Sequence, residues 1–531
     1  MKWSDYLLPG LLGFGLVLLV SGYQASPGYM DADYYMAGGM SLARGSGFSD
    51  FFLWNFLADP EGIPTPSHAY WMPLGSLLSA LGMVITGVVN FASARIFFLL
   101  VAALIAPLTM GLSYSIYRNR EYARLAGLIA AVPGFYLAYL GTTDTFGIYM
   151  VLGCAWFLIL SHEPFKPGVR FLLLGVLSGL LHLSRADGIL WLFLGVIYIL
   201  TAKPLDKSSP DGGGAAKTAL ILAFGALMAG YLLIMLPWIL RNISAFGTPL
   251  SPGGIRALWL IHYDDIYAYP GDQITFSRWW ASGLLSIFRV RWHALGINLQ
   301  TALAVQGGIF LAPLMIVGLW QVRQLRAVRF GLIIWLMTLL LMTGAFPEVG
   351  WRGGFFHSGA AIQPLFWAAA PVGLAEFIRL GVRVRRWNYQ KAWSFFRSGS
   401  IVLLLIVTLS STGKRLTDFR LPVNAWDQSN ENYARIEAEL SKLGAIEDDI
   451  VLVNNPPGYF VATGRKAISI PDGGMLTLLA VAERYGGAYL ILEPNHPQEL
   501  DSLYNQEEIH ARLQLVSIIL DTYLYHINNH E

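Results

Sequence analysis

TALILAFGALMAGYLLIMLPWIL, residues 218–240, contains no charged side chain. A helix of roughly 20 apolar residues crosses the hydrocarbon of a bilayer, so this stretch reads as a membrane span. Similar runs occur at 6–20, 94–117, 123–140, 146–160, 301–320, 330–346, 360–378 and 400–410. Two shorter runs, 169–183 and 188–200, flank the polar break Ser184-Arg185-Ala186-Asp187 and predict a short-legged helical hairpin. Composition agrees with this reading. Over 531 residues, 55% are hydrophobic and 13% charged, against about 25% charged in ordinary soluble domains. A net charge of +2 and that deficit exclude a nucleic-acid binder, a disordered chain and a typical cytosolic enzyme. The single Cys154 excludes an intrachain disulfide.

Cytoplasmic loops keep an excess of Lys and Arg. The basic connections hold Arg118, Arg120 and Arg124; Lys166 and Arg170; Lys203, Lys207 and Lys217; Arg323, Arg326 and Arg329; and Arg379 through Arg397. They share one side only if 71–87, with its Pro73, Gly75 and Gly82, does not fully cross and Arg185 sits in a real hairpin. The expectation is eleven crossings with the N-terminus cytoplasmic and the C-terminus outside, in a bacterial plasma membrane. The loop 21–70 then lies outside. Its Asp31, Asp33, Asp50, Asp59 and Glu61 against one Arg44 agree. The first span reads as an uncleaved anchor, because a cut after Ala25 would put Tyr23 where a small residue is needed.

Charge becomes frequent after Ser411. Tyr433, Ile436, Leu440 and Leu443 recur at helical spacing within 427–444, 475–485 is a second helix, and 449–453, 488–492 and 516–520 read as buried strands. The fold class is therefore an α-helical polytopic membrane protein, 1–411, followed by a small extracytoplasmic α/β domain, 412–531. The low-complexity stretch 208–214 reads as a cytoplasmic loop.

Ionisable groups at hydrocarbon edges are costly and mark function. Met30-Asp31-Ala32-Asp33-Tyr34-Tyr35 follows the first span. Helical spacing sends Asp31 and Asp33 to different faces, so one of them suffices as a general base or cation ligand. The bland alternative is a solvated helix cap. Pro64-Thr65-Pro66-Ser67-His68-Ala69-Tyr70-Trp71 fixes an extended path; His68 is a candidate proton carrier or ligand, set against an ordinary structural histidine. A divalent cation at Asp31, Asp33 and His68 is a candidate, although no cofactor is required. Arg185, Arg241 and Arg352 recur at the outer level, against the topological bias. A planar guanidinium suits phosphate, and His357 could join them; snorkelling to lipid headgroups is the alternative. Asp144 lies at another outer end, and Asp187 and Glu348 are candidates to pair with the arginines. The loop 241–300 carries Trp259, Trp279, Trp280 and Trp292 with Arg256, Arg278, Arg289 and Arg291, a pattern for segments lying on a membrane. His262 and Asp264, with Tyr70, are candidates for an acceptor site or lid. No P-loop, Cys cluster, H-E-x-x-H or Rossmann fingerprint occurs.

This arrangement resembles the GT-C membrane glycosyltransferases, especially the family 39-like enzymes related to protein O-mannosyltransferases and the lipid A aminoarabinose transferase. The resemblance covers roughly 1–411. It rests on Asp31-Ala32-Asp33-Tyr34-Tyr35 with Leu42-Ala43-Arg44-Gly45, Tyr70-Trp71-Met72-Pro73, Thr143-Asp144-Thr145-Phe146, Pro237-Trp238-Ile239-Leu240-Arg241-Asn242 and Arg352-Gly353-Gly354-Phe355-Phe356-His357-Ser358. Ser67-His68 stand where the aminoarabinose branch has an acidic-lysine-proline run. The resemblance implies transfer of a sugar from a polyprenyl-phosphate donor, with inversion, to an acceptor hydroxyl on protein, lipid or polysaccharide. Asp31 or Asp33 would match the family's first-loop carboxylate, Asp144 a second outer carboxylate, and Arg185 a phosphate-binding base. Membrane lipid is an implied partner and nucleic acid is not. The alternatives are a lipid or sugar transporter without transferase chemistry, disfavoured by the lack of matching halves, and a degenerate scaffold whose tail binds a partner.

Overall fold

A computed structural model describes residues 1–161, 165–201, 212–418 and 424–528. Lys203, Lys207 and residues 208–211 of the low-complexity stretch lie outside the described residues; 212–214 open a long helix.

Two compact units emerge. The first comprises residues 1–23, 98–241 and 291–416. It is helical, and among the described residues seven helices of the chain are long and apolar enough to cross a membrane, including Trp3–Ser21, Lys217–Phe246, Arg326–Ala345, Gln363–Arg385 and Tyr389–Leu416. Ile221, Leu222 and Leu233 on the helix Gly212–Phe246 are each about two-thirds exposed, as a lipid-facing surface requires. Glycines let helices touch backbone to backbone where no hydrophobic force drives them together. A Cβ on Gly175 would fall on the carbonyl of Leu227, and one on Gly230 on that of Leu172. Gly318 and Gly373 pack just as closely, against Ala369 and Leu314.

The expected hairpin is present as Pro167–Ser184 and Ile189–Thr201 around a short turn, Ala186–Gly188. Two expected spans are interrupted. The run 123–140 is helical only through Arg120–Ala131. Pro133 disfavours helix at Val132, and Gly134 takes a left-handed φ of 64° before the tighter helix Gly134–Tyr139. The run 301–320 breaks at Gly307-Gly308, between a wide turn at Ala302–Gln306 and the helix Ala312–Gln321. Apolar composition alone does not register such breaks. The span expected at 400–410 is the middle of a helix, Tyr389–Leu416.

The second unit comprises residues 24–97, 242–290 and 417–531. Its centre is a six-stranded sheet, ordered Phe52–Leu53, Ala467–Ser469, Ile450–Val453, Gly487–Leu492, Thr522–Ile527 and Leu513–Ile519. The first four strands pair in parallel; Thr522–Ile527 pairs antiparallel with both of its neighbours. Phe52–Leu53 comes from the first loop, so the C-terminal segment supplies five strands and the first loop the sixth. Helices Gln428–Lys442 and Met475–Tyr485 match expectation. The helix Pro456–Thr463 and strands Ala467–Ser469 and Thr522–Ile527 were not legible as such. The strand expected at 516–520 as buried is instead a largely exposed edge, Leu513–Ile519, because it ends the sheet and pairs on one side only, with Thr522–Ile527. In the same unit the segment 71–87 holds a helix at Leu74–Thr86, 13 residues long, about 20 Å at 1.5 Å per residue.

Candidate active site

In the second unit, Gly28, with φ 94°, and extended Tyr29 lead into the helix Met30–Ala43. Asp31 and Asp33 occupy its first turn, where unpaired N–H groups and the helix dipole favour carboxylates. Two residues turn a helix by about 200°, and the environments differ accordingly. Asp31 is partly exposed. Asp33 is 6% exposed, and its Oδ2 accepts a hydrogen bond from Asn455 Nδ2 at 2.9 Å. Burial pushes the Asp33 carboxyl up to about 7, with Asp31 adding to the rise and Asn455 opposing it.

His68 is not poised as a ligand. It is 1% exposed, with Nδ1 2.7 Å from Ser67 Oγ and Nε2 3.0 Å from Ser76 Oγ. Its N–H donates to the Tyr34 hydroxyl, which donates to Asp50. The residue braces the first loop against the helix Leu74–Thr86. The structure does not bring Asp31, Asp33 and His68 together as a ligand set: one aspartate faces Asn455 and both histidine nitrogens face hydroxyls. Tyr70 packs edge-on against Trp54. His262 and Asp264 are exposed; their neighbour Asp265 is the buried one. Asp265 accepts from the N–H groups of Ile261 and His262 and pairs with Arg278 at 2.6 Å. Tyr267, unrecognised in the sequence, lies within electrostatic reach of several candidates. Burial raises its phenol well above the ordinary value, and Tyr263, Asp264, Asp31 and Tyr70 add to the rise.

In the first unit, Asp144 is 2% exposed within the buried run Thr142-Thr143-Asp144-Thr145. One carboxylate oxygen accepts from Thr145 N–H. The other lies 3.1 Å from His357 Nε2. Phe146 stacks on the imidazole at 4.0 Å, and His357 Nδ1 lies 3.0 Å from the carbonyl oxygen of Gly353. A carbonyl only accepts, so Nδ1 carries the proton. Nε2 then meets a carboxylate oxygen lone pair to lone pair unless a proton or a cation lies between them. This donor set, one imidazole and one carboxylate, fits a divalent metal.

Each arginine has a contact of its own. Arg185 Nε donates to Asp187 Oδ1 at 3.0 Å, and the Tyr149 hydroxyl donates to Asp187 Oδ2 at 3.2 Å. Arg241 lies over Trp238 and Arg352 over Trp351, 4.9 and 4.7 Å from the ring centres. Glu348 accepts from Trp351 Nε1; Arg352 shares the turn leading to His357, with Gly353 at φ 122° between them.

The fold is similar to that of solved GT-C membrane glycosyltransferases. No family model matches the sequence, and no curated protein matches it. Solved structures do. The archaeal oligosaccharyltransferase AglB from Archaeoglobus fulgidus, in complex with an inhibitory peptide and a dolichol-phosphate, is 14% identical with a TM-score of 0.58, covering 95% of this chain and 71% of that one. A structure of the Archaeoglobus fulgidus oligosaccharyltransferase in complex with Zn and sulfate is also 14% identical, with a TM-score of 0.53, covering 94% and 69%. ArnT from Cupriavidus metallidurans, bound to undecaprenyl phosphate, is 11% identical with a TM-score of 0.52, covering 97% of both chains.

Proposed function

We propose that this chain is an integral membrane glycosyltransferase that moves a sugar from a polyprenyl-phosphate donor to an acceptor hydroxyl at the extracytoplasmic face, with inversion. The N-terminus is then cytoplasmic and the C-terminal domain outside. What carries the reading is the Asp144–His357 contact inside a GT-C fold: a buried carboxylate 3.1 Å from an imidazole nitrogen, with room in the contact for a proton or a cation.

The chemistry is one displacement. The acceptor oxygen forms a bond to the anomeric carbon, the bond from that carbon to the phosphate oxygen breaks, and polyprenyl phosphate leaves with the bonding pair. Asp31, the more accessible acidic side chain of its helix, takes the acceptor's proton. Arg185, Arg241 and Arg352 are the candidate phosphate-holding groups, and fixed positive charge aimed at the leaving oxygen is the largest service a site can offer here. Tyr70, Tyr267, His262 and Asp264 are candidates to receive the acceptor. Asp144 and His357 would hold a divalent cation, which when bound supplies positive charge against the departing phosphate.

The test uses the full chain in lipid nanodiscs with undecaprenyl-phosphate-linked hexoses and pentoses, following release of undecaprenyl phosphate and capture of the sugar by envelope extract. Transfer by the wild type and a loss of about 10²–10⁴-fold in Asp31→Asn are expected. Sugar movement across the bilayer without a new glycosidic bond would overturn the reading.

A further inference from the structure

The segment 25–33 takes several hydrogen bonds from residues about four hundred positions away. Ala25 N–H, Ser26 N–H and Ser26 Oγ all donate to the Asp427 carboxylate, at 3.0, 2.8 and 2.7 Å. Trp426 Nε1 donates to the Ser26 carbonyl at 3.0 Å. The Trp426 indole occupies the space where Gly28 would carry a Cβ, and its edge meets Tyr29 at 5.7 Å between ring centres. At the far end, Asn455 spans two elements. Its Nδ2 donates to Asp33, while its Oδ1 accepts from Gly458 N–H and caps the helix Pro456–Thr463. A Cβ on Gly458 would sit 2.8 Å from Asp33 Oδ2, so the loop after Ile450–Val453 is shaped to receive this carboxylate.

We infer that Asn455, with Trp426 and Asp427, positions the acidic helix, and that Asp33 is a positioning residue through which the C-terminal segment sets where Asp31 points. This rests on the transferase reading above. The physical reason is that a buried carboxylate stays buried only while hydrogen-bonded. Without Asn455 the first turn rotates to rehydrate Asp33. Asp31 lies two residues away on the same turn, so it is carried along, and a misplacement of about 1 Å costs on the order of 10²-fold in rate.

The experiment compares four full-length proteins in nanodiscs with undecaprenyl-phosphate-linked hexoses and pentoses, reading kcat, donor KM and amide exchange across 29–33. Asn455→Ser keeps a helix cap but is too short to reach Asp33. It is expected to lose about tenfold or more in kcat with donor KM within about twofold, and to exchange faster at 29–33. The swap Asp33→Asn with Asn455→Asp retains the hydrogen bond and the cap while moving the charge to the other partner. It is expected to regain kcat to within about threefold of wild type and to restore slow exchange. Full kcat in Asn455→Ser, or a swap as poor as Asn455→Ser, overturns the inference. Wild type and Asp31→Asn serve as controls. If the wild type releases no lipid phosphate, the transferase reading has failed, and the exchange rates alone decide whether Asn455 orders the helix.

Discussion

His357 places its Nε2 3.1 Å from Asp144 Oδ2 while its Nδ1 donates to the Gly353 carbonyl. A proton or a metal must reconcile the two facing lone pairs, and the alternatives separate experimentally. If a cation does so, His357→Ala lowers Mn²⁺ affinity, measured by calorimetry on the protein in nanodiscs, by at least the 10–100-fold that losing a supporting partner costs. Binding unchanged by His357→Ala and by Asp144→Asn would leave the proton as the reconciling charge.

Arg185 and Asp187 form a nearly buried pair, with side chains 14% and 7% exposed. Removing one partner leaves an uncompensated charge and costs about 3–5 kcal/mol. Arg185→Ala is expected to lower stability by that amount in a denaturant titration in mixed micelles, and Arg185→Ala with Asp187→Ala to recover most of it. If Arg185 also holds the donor phosphate, the double variant regains stability and not turnover.

Glu493 follows the strand Gly487–Leu492 and accepts from the Tyr433 hydroxyl at 3.3 Å. Burial pushes its carboxyl up from 4.5 to about 7, against the opposing bonds from Tyr433 and Asn454. The folded state therefore holds the proton more tightly than the unfolded chain. Its contribution is fully present below about pH 4.5 and is lost as pH rises toward 7, by at most about 3 kcal/mol. Glu493→Gln should flatten that part of the melting-temperature profile. An unchanged slope between pH 4.5 and 7 would contradict the burial argument.

Gly373 has no room for a side chain, since a Cβ would fall on the Leu314 carbonyl. Gly373→Ala should force apart the helices Ala312–Gln321 and Gln363–Arg385 and cost about 1–3 kcal/mol, as overpacking does. Gly399→Ala, where open space surrounds the Cβ, should be neutral in the same melt.

By itself the sequence determined that the chain is a polytopic membrane protein with a small α/β segment after it, because apolar run length and charge density are local properties. Residues 218–240 and the helix 475–485 could be read from composition and periodicity alone. It also marked Asp31, Asp33, His68, Asp144 and the outer arginines with His357 as unusual where hydrocarbon should begin. Tertiary structure alone decided what each polar group does. That His68 is locked between Ser67 and Ser76, that Asp144 faces His357 from 213 positions away, and that Asn455 holds Asp33 across 422 are consequences of packing, and pairings at such separation leave no mark on local spacing. The strand Phe52–Leu53 shows the same limit: two residues carry no readable alternation, and only the waiting edge of Ala467–Ser469 makes them a strand.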